Sequence, residues 1–383
     1  MSGAPAGQAG PAGQTVVVLG SYAPSLLIFR GSMIAEIVGR GHRVVAMAPD
    51  ISPEVAAGLR AIGAEPRQIT IANSTLNPMS LLASLRMLTG VFREVRPDTV
   101  IPYTIKPVTI GGLAAARAGV RNIVPLITGL GYPFSNGAGL KRKLSRMGAT
   151  VLYRLSLARS HTVIFQNKDD RDDLAAEGIL PRGKRSVVVN GSGVELDDFV
   201  PQPLPPQPSF LMIARLIGDK GVLEYGAAVA VLKKKYPHAR FALAGWFDPS
   251  PDGISQDELD GMVAGGVDYL GKLGDVRPAL ADAGVFVLPS RYREGTPRSS
   301  LEAMAMGRPV ITCDAPGCRE TVENGENGIL VRPGDVEDLT AAMERFIVDP
   351  ALTATMGIKS RALAERKFDV RAVNRAIIEA AGL

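Results

Sequence analysis

The chain has 383 residues, of which 46% are hydrophobic and 21% are charged, and its formal net charge is +5. This length predicts two domains, and the composition is that of a soluble globular protein. The only cysteines, Cys313 and Cys318, are too few for a disulfide framework and favour a reduced, cytoplasmic setting. No run of eighteen apolar residues is present, so no membrane-spanning helix is predicted.

Buried strands alternate with helices from residue 15 to about residue 190. Residues 1–14, mostly Gly, Ala, Pro and Gln, are predicted to be a disordered lead-in and not a signal peptide. Apolar runs predict strands at 16–20, 43–48, 99–102, 123–127, 161–165 and 186–189. Such alternation is typical of a parallel sheet with right-handed crossovers.

A proline-rich segment at 199–208 interrupts this pattern, which then restarts. Further strands are predicted at 210–213, 240–245, 267–270, 285–288 and 310–312. We therefore predict two doubly wound α/β domains, 15–200 and 201–360, that face a central cleft. That cleft is the expected active site. Residues 361–383 are predicted to form a helix that crosses back to the first domain.

The segment 290–309 carries the strongest functional signal. Glu294 follows a predicted strand, and Glu302 lies one to two turns into the next helix. Thr296 and Pro297 indicate the start of that helix, with the threonine as a cap for its free amides. Open α/β sheets bind ligands at this edge, and the helix N-terminus favours an anion. Alternatively, both carboxylates are ordinary solvated charges at a helix start.

Two cations follow the first predicted strand of the second domain. Arg215 and Lys220 are five residues apart and are expected at the same sheet edge as Glu294. An arginine offers a bidentate fork and a lysine a mobile point charge, so together they suit a diphosphate. The alternative is that either residue is a simple surface cation.

Four segments, in order, resemble those of family 4 retaining glycosyltransferases of the GT-B fold. They are N-G-S-G-V at 190–194 with Phe199, A-R-L-I-G-D-K-G at 214–221, E-G-T-P-R-S-S-L-E-A-M-A-M-G-R-P-V-I at 294–311, and A-P-G-C-R-E-T-V at 315–322 with 327–335. The resemblance covers most of residues 160–383. It implies two Rossmann-like domains and transfer of a sugar from a nucleoside diphosphate.

In that family an Arg and a Lys bind the donor diphosphate, one Glu bonds the ribose hydroxyls, and another Glu with the following amides holds the transferred sugar. For this chain the resemblance implies a donor site made of Arg215, Lys220, Glu302, Glu294, Gly295, Thr296, Pro297 and Leu273. Fixed cations stabilise the negative charge that develops on the leaving diphosphate. The resemblance favours uracil as the base. Because no Asp-x-Asp motif of the metal-dependent transferases is evident, neither a metal nor another cofactor is expected.

The first domain departs from the commonest family pattern, which has a Gly-Gly loop after the first strand and a His deeper in the domain. Here the loop is G-S-Y-A-P at 20–24, and Lys106 lies near the expected His. These variants resemble the subgroup that extends polyprenyl-diphosphate-linked oligosaccharides for bacterial surface polysaccharides. This implies acceptor binding by Ser21, Arg30, Lys106 and Tyr132. Donor-phosphate binding and structural or surface charge are the alternatives for Arg30 and Lys106.

The positive charge is concentrated in the first part of the chain. Residues 1–200 contain 22 Lys and Arg against 14 Asp and Glu. A basic cluster with an apolar companion face indicates a helix that binds an anionic membrane surface, through Lys141, Arg142, Lys143 and Arg146. A solvated surface helix is the alternative. Nucleic acid is not expected as a partner, because no aromatic residues interleave with this charge.

The expected function is therefore a retaining, metal-independent transfer of a sugar to a lipid-linked saccharide. It would take place at the inner face of the cell membrane, in polysaccharide biosynthesis. A non-hydrolysing sugar-nucleotide epimerase has the same architecture but needs acidic and His residues at the sugar, which the first domain scarcely offers. A sugar-nucleotide-binding protein without turnover is the remaining alternative. A dinucleotide dehydrogenase is disfavoured, since no G-x-G-x-x-G follows the first strand.

Overall fold

Five parallel strands form the first sheet. The computed structural model describes residues 13–70, 78–131, 134, 140–250 and 252–383. The strands are β1 (Thr15–Leu19), β2 (Arg43–Ala48), β3 (Glu65–Gln68), β4 (Thr99–Pro102) and β5 (Asn122–Ile123). Their order in the sheet is β3-β2-β1-β4-β5, with every neighbouring pair parallel. Because the order reverses between β1 and β4, a crevice opens at the carboxyl ends of these two strands.

Helices cover this sheet on both faces, which is why its central strands are continuous apolar runs. They are α1 (Ser25–Ile28), α2 (Gly31–Gly39), α3 (Pro53–Ala61), α4 (Pro78–Val95) and α5 (Gly112–Ala118), with a π-helical turn at Pro107–Gly111. Residues 1–12 of the predicted lead-in lie outside the described residues. Gln14, at the end of that lead-in, is ordered: its backbone N–H donates to His42 Nδ1 at 3.1 Å.

The strand predicted at 123–127 is in fact two strands in two sheets. β5 ends at Ile123, and β6 (Leu126–Ile127) joins β7 (Val163–Phe165) and β8 (Ser186–Val188) in a separate three-stranded parallel sheet. Pro125 lies at the break, where it has no N–H to donate to a ladder. The helices α6 (Leu140–Arg159) and α7 (Lys168–Ala176) accompany this smaller sheet.

The second domain is a six-stranded parallel sheet. Its strands are β9 (Ser209–Ile213), β10 (Arg240–Ala244), β11 (Asp268–Gly271), β12 (Val285–Leu288), β13 (Val310–Cys313) and β14 (Gly328–Val331), in the order β11-β10-β9-β12-β13-β14. The order reverses between β9 and β12, so the two predicted functional loops lie at a topological switch point. Its helices are α8 (Val222–Lys235), α9 (Gln256–Ala264), α10 (Arg277–Ala281), α11 (Arg298–Ala305) and α12 (Val336–Val348).

The last part of the chain connects the two domains. Helix α13 (Pro350–Lys367) packs on α11 in the second domain. The chain then turns at Phe368, whose carbonyl oxygen accepts the Val194 N–H at 2.8 Å. Helix α14 (Val370–Ala380) has Ile377 and Ile378 in the apolar core of the first domain. The fold is thus the predicted pair of parallel α/β domains, with a cleft between them.

Candidate active site

The loops after β9 and β12 bring the predicted cations and carboxylate together. Arg215 and Lys220 follow β9, and Glu294 follows β12. Gly221 allows the two loops to pack closely, because it has a φ of +78° and a Cβ there would lie 2.3 Å from the Pro289 carbonyl oxygen. Only glycine fits such a backbone position. The juxtaposition of the two loops is therefore built into the fold.

Lys220 and Glu294 form an ion pair within the cleft. Lys220 Nζ donates to Glu294 Oε1, and the same oxygen accepts a hydrogen bond from Ser290 Oγ at 3.0 Å. Both charged side chains are only 13% exposed. The ring of Tyr292 lies against both cations, 5.5 Å from Lys220 Nζ and 5.7 Å from Arg215 Cζ. One aromatic ring thus holds the two positive charges side by side.

Arg215 has its own carboxylate partner, Asp248, whose Oδ2 accepts from Nη1 at 2.8 Å. Burial lowers the pKa of Arg215, but Asp248 and Tyr292 more than offset this effect, so the pKa is raised overall. Each of the two cations is therefore paired with a carboxylate. A diphosphate offers the same kind of charge-assisted hydrogen bond to both, and can replace these carboxylates.

The backbone around Glu294 is held by the first domain. Asn167 Nδ2 donates to the carbonyl oxygens of Gly295 at 2.8 Å and Glu294 at 3.1 Å. Gly129 has a φ of +102°, and a Cβ there would lie 2.6 Å from the Gly295 backbone nitrogen. The close approach requires glycine at position 129. The carboxylate-bearing loop is thus clamped by loops from the opposite side of the cleft.

The predicted cap of α11 is wrong. Thr296 does not cap the helix; its hydroxyl donates to the carbonyl oxygens of Gly295 at 2.9 Å and Gln166 at 3.3 Å. Pro297 occupies the N-cap position, and no side chain there bonds the first amides. The hydroxyl is used for contact with the first domain instead. The uncapped amides leave this helix N-terminus able to bind an anion.

Glu302 lies on α11 and is already engaged by a neighbour in the same helix. Arg298 Nε donates to Glu302 Oε1 at 2.8 Å, and Arg298 Nη1 donates across the cleft to the carbonyl oxygen of Ile28. Burial raises the pKa of Glu302, while Arg298 acts in the opposite direction. A ligand hydroxyl that bonds Glu302 must therefore compete with Arg298.

A cavity of about 300 Å³ lies between the domains beside Glu294. Its wall from the second domain is the loop 294–298. Its wall from the first domain is made of Tyr22, Ser25, Phe29, Arg30, Tyr103, Thr104, Thr128, Gln166 and Ser192. Hydroxyl, amide and aromatic groups of this kind are suited to a polar ligand with an apolar face.

Of the predicted acceptor residues, Arg30 lines this cavity, whereas Ser21 and Lys106 are not among its lining residues. Ser21 lies 2.8 Å, oxygen to oxygen, from the hydroxyl of Thr104, a cavity residue whose φ of +67° marks local strain. Lys106 precedes the π-helical turn, and burial lowers its pKa. Tyr132 lies outside the described residues. The predicted donor residue Leu273 is half-buried on the loop after β11 and is not among the residues that line the cavity.

Helix α6 carries the predicted basic cluster. Arg146 pairs with Glu177 at 2.5 Å and lies over the ring of Phe134. The side chains of 141–143 are not among those described. The same helix has a run of exposed apolar side chains spaced four residues apart, of which the first is 62% exposed: Met147, Val151 and Leu155. No helix within the described ranges is long and apolar enough to cross a membrane.

Several residues at the site were not predicted from the sequence. Asn167, Asp248 and Tyr292 act through contacts that are distant in sequence, so no local pattern indicates them. Arg298 could have been found, because it lies four residues before Glu302 on one helix, the spacing of a side-chain ion pair. Among the described residues, no three or more His, Cys, Asp or Glu side chains are grouped as a metal site.

Two facing parallel α/β domains, with cations and carboxylates at the switch point of the second, define the class of GT-B glycosyltransferases. Family models agree: "Glycosyl transferase 4-like domain" matches residues 30–191 and "Glycosyl transferases group 1" matches residues 207–349. The chain belongs to the family 4 glycosyltransferases. The predicted family and fold are confirmed.

Individual relatives share most of the chain. It is 30% identical over 342 residues to the N,N'-diacetylbacillosaminyl-diphospho-undecaprenol alpha-1,3-N-acetylgalactosaminyltransferase of Campylobacter jejuni, covering 86% of this chain and 88% of that one. It is 25% identical to the capsular polysaccharide biosynthesis glycosyltransferase CapM of Staphylococcus aureus, covering 75% and 77%. Among solved structures, sucrose-phosphate synthase from Thermosynechococcus elongatus has a TM-score of 0.78 at 19% identity, covering 96% and 98%. That likeness concerns the fold.

Proposed function

We propose that this glycosyltransferase moves a sugar from a nucleoside diphosphate sugar, with UDP as the nucleotide, to a polyprenyl-diphosphate-linked saccharide. Binding of the nucleoside diphosphate sugar is supported by one observation: Arg215, Lys220 and the uncapped N-terminus of α11 converge beside Glu294. The acceptor side rests on the names of the relatives, one of which acts on an undecaprenol-diphosphate-linked sugar and another in capsular polysaccharide biosynthesis.

In the proposed reaction each part of the donor has its own protein contacts. The diphosphate binds Arg215 and Lys220, whose positive charges stabilise the charge that develops on the leaving group. The ribose hydroxyls bind Glu302 in place of Arg298. Glu294 and the loop 295–297 hold the transferred sugar, and Glu294 becomes available when Lys220 turns to the diphosphate.

We propose a retaining reaction without a metal ion. The bond from the anomeric carbon to the phosphate oxygen breaks, and a bond from that carbon to the acceptor oxygen forms on the same face. The acceptor proton passes to the departing phosphate oxygen, so the protein need not supply a separate base. The two protein cations take the place that a divalent ion has in metal-dependent transferases.

We propose that the protein works at the inner face of the cell membrane, on an anionic surface; the exposed apolar residues of α6 support contact with a bilayer. These side chains, Met147, Val151 and Leu155, together with the neighbouring Arg146, can enter the headgroup region of a bilayer. Neutralising Lys141, Arg142 and Lys143 together is expected to weaken binding to phosphatidylglycerol vesicles at low salt. Turnover of a water-soluble acceptor should be unchanged. Equal vesicle binding by the variant and the unaltered enzyme would remove the membrane proposal.

The enzyme reaction is tested with a panel of nucleotide sugars, a lipid extract and the purified protein. Nucleoside diphosphate should be released only when donor and lipid acceptor are both present. This release should continue when EDTA is added. NMR of the product then gives the anomeric configuration. Conversion of donor to its epimer without an acceptor would identify an epimerase. Donor binding without any product would leave a sugar-nucleotide-binding protein.

A further inference from the structure

Arg30 is a buried cation that has no counter-charge among the described residues. Its side chain is 2% exposed, and its Nε and Nη1 have no hydrogen-bond partner among the described residues. The guanidinium lies over the ring of Tyr103, 5.3 Å from the centroid. Burial lowers its pKa to about 10, so it stays charged at neutral pH. A desolvated, unpartnered charge is unfavourable for folding, which suggests that a ligand supplies the missing anion.

The cavity beside Arg30 has the chemistry of a sugar site with one anionic position. Among the described residues that line it, Glu294 is the only acid, and that carboxylate is already paired with Lys220. The remaining lining groups include the hydroxyls of Ser25 and Thr104. A volume of about 300 Å³ is enough for a single sugar ring with a charged substituent.

A second cation lies at the edge of this cavity. Arg298 also lines it, and its charge adds to the depression of the pKa of Arg30, so the two cations act on the same region. In this structure Arg298 is held by Glu302 and the carbonyl oxygen of Ile28. When the ribose of a donor takes Glu302, Arg298 loses its carboxylate partner and its charge becomes available to the cavity.

We propose that Arg30 binds an anionic oxygen group of the acceptor, a carboxylate or a phosphate, and that Arg298 joins it once the donor nucleotide is bound. The proposal rests on the proposed function, because it assigns the acceptor to this cavity. It makes the enzyme selective for acidic acceptors, and it couples donor binding to acceptor binding through Arg298. Such coupling favours a sequence in which the donor binds first.

The test is calorimetric binding to enzyme saturated with UDP, which occupies the donor diphosphate site. The probes are glucuronate for a sugar carboxylate, inorganic diphosphate for a lipid phosphate, and methyl glucoside as the neutral control. At least one anionic probe should bind at least roughly tenfold more tightly than methyl glucoside. The tighter anion identifies the source of the charge. Equal or weaker binding of both anions would overturn the proposal.

Two variants locate the site. Arg30→Met should abolish the preference for the anion, whereas Arg60→Met, a matched change on the exposed surface of α3, should keep it. Arg298→Gln should lose the increase in anion affinity that UDP causes in the unaltered enzyme. Preserved anion preference in Arg30→Met, or a UDP effect unchanged in Arg298→Gln, would contradict the assignment.

Thermal unfolding separates a binding role from a structural one. Because the charge of Arg30 is desolvated and has no counter-charge among the described residues, Arg30→Met should melt at or above the temperature of the unaltered protein. A marked decrease in melting temperature would show that Arg30 stabilises the fold, and this result would contradict the proposal. Failure of the proposed function can be distinguished from failure of this inference. If no donor is turned over, the proposed function is contradicted, but anion binding can still be measured. If neutral acceptors are used as well as acidic ones, only the inference about Arg30 is contradicted.

Discussion

Replacing Glu294 by Gln is expected to tighten binding of the free nucleoside diphosphate while slowing sugar transfer. In this structure Lys220 Nζ donates to Glu294 Oε1, so a diphosphate must draw the lysine away from that carboxylate. Gln keeps the shape and removes the negative charge. In the variant, Lys220 has a weaker contact to give up when the diphosphate binds. A larger part of the free energy of its interaction with the phosphate therefore contributes to the measured affinity for the diphosphate.

The size of the effect follows from the burial of the ion pair. Its side chains are each 13% exposed, which places it between a surface pair and a fully buried one. Such a pair is worth about 1–2 kcal/mol, so the Kd of UDP should fall roughly 5- to 30-fold. Turnover should fall roughly 10- to 100-fold, the value of one charged hydrogen bond to the transferred sugar.

Calorimetry with UDP measures the affinity, and a double-mutant cycle with Lys220→Met shows whether the lysine is responsible. In the Lys220→Met background, Glu294→Gln should change the Kd by much less, since the pair no longer exists. If the gain in affinity is the same in both backgrounds, general repulsion between Glu294 and the diphosphate explains it. If affinity is unchanged or weaker in Glu294→Gln, Lys220 does not exchange Glu294 for phosphate.

Three further predictions concern the cleft. Arg215→Ala should lower kcat by about 10²- to 10³-fold in a donor-turnover assay, because a charge that stabilises the leaving group is lost; a normal rate would place the diphosphate elsewhere. Asp170 is paired with Arg293 at 2.9 Å, and burial raises its pKa from 3.8 to about 6. Its contribution to the free energy of unfolding is therefore full below pH 3.8 and lost as the pH rises through about 6. Denaturant unfolding should show this change in the unaltered protein but not in Asp170→Asn. Gly129→Ala should destabilise the protein by about 1–3 kcal/mol and raise KM for the donor, because its φ is +102° and its Cβ meets Gly295; an unchanged melting temperature would contradict that clamp.

Local patterns were sufficient to predict most of the strands and the motif positions. Apolar runs mark the strands because parallel strands covered on both faces are buried throughout, as in β1 and β12. Two strands, β3 and β14, were not predicted. The division of the strand predicted at 123–127 has a local cause in Pro125. That proline was visible in the sequence, but its effect depends on which neighbouring strand its missing N–H would have faced.

Contacts between distant segments were much harder to predict. The Thr296 cap was wrong because the hydroxyl found an acceptor on the opposite domain, at Gln166. The partners of Arg215 and Lys220 are carboxylates 33 and 74 residues further along the chain. The burial of Arg30 depends on packing against Tyr103. None of these relations has a fixed sequence spacing.

The sequence by itself indicated the class of protein and the succession of most strands along the chain. It also indicated Arg215, Lys220, Glu294 and Glu302 as candidates for the donor site. Periodicity and loop position, which are properties of neighbouring residues, indicated the strands and loops, and the resemblance of four local motifs to a known family implied the class and the donor-site residues. Only the tertiary structure decided which charges neutralise one another, which carboxylate Arg298 holds, and that Arg30 is buried with no counter-charge in the described part of the chain. Those outcomes depend on distances across the cleft, and folding sets these distances by packing two domains together.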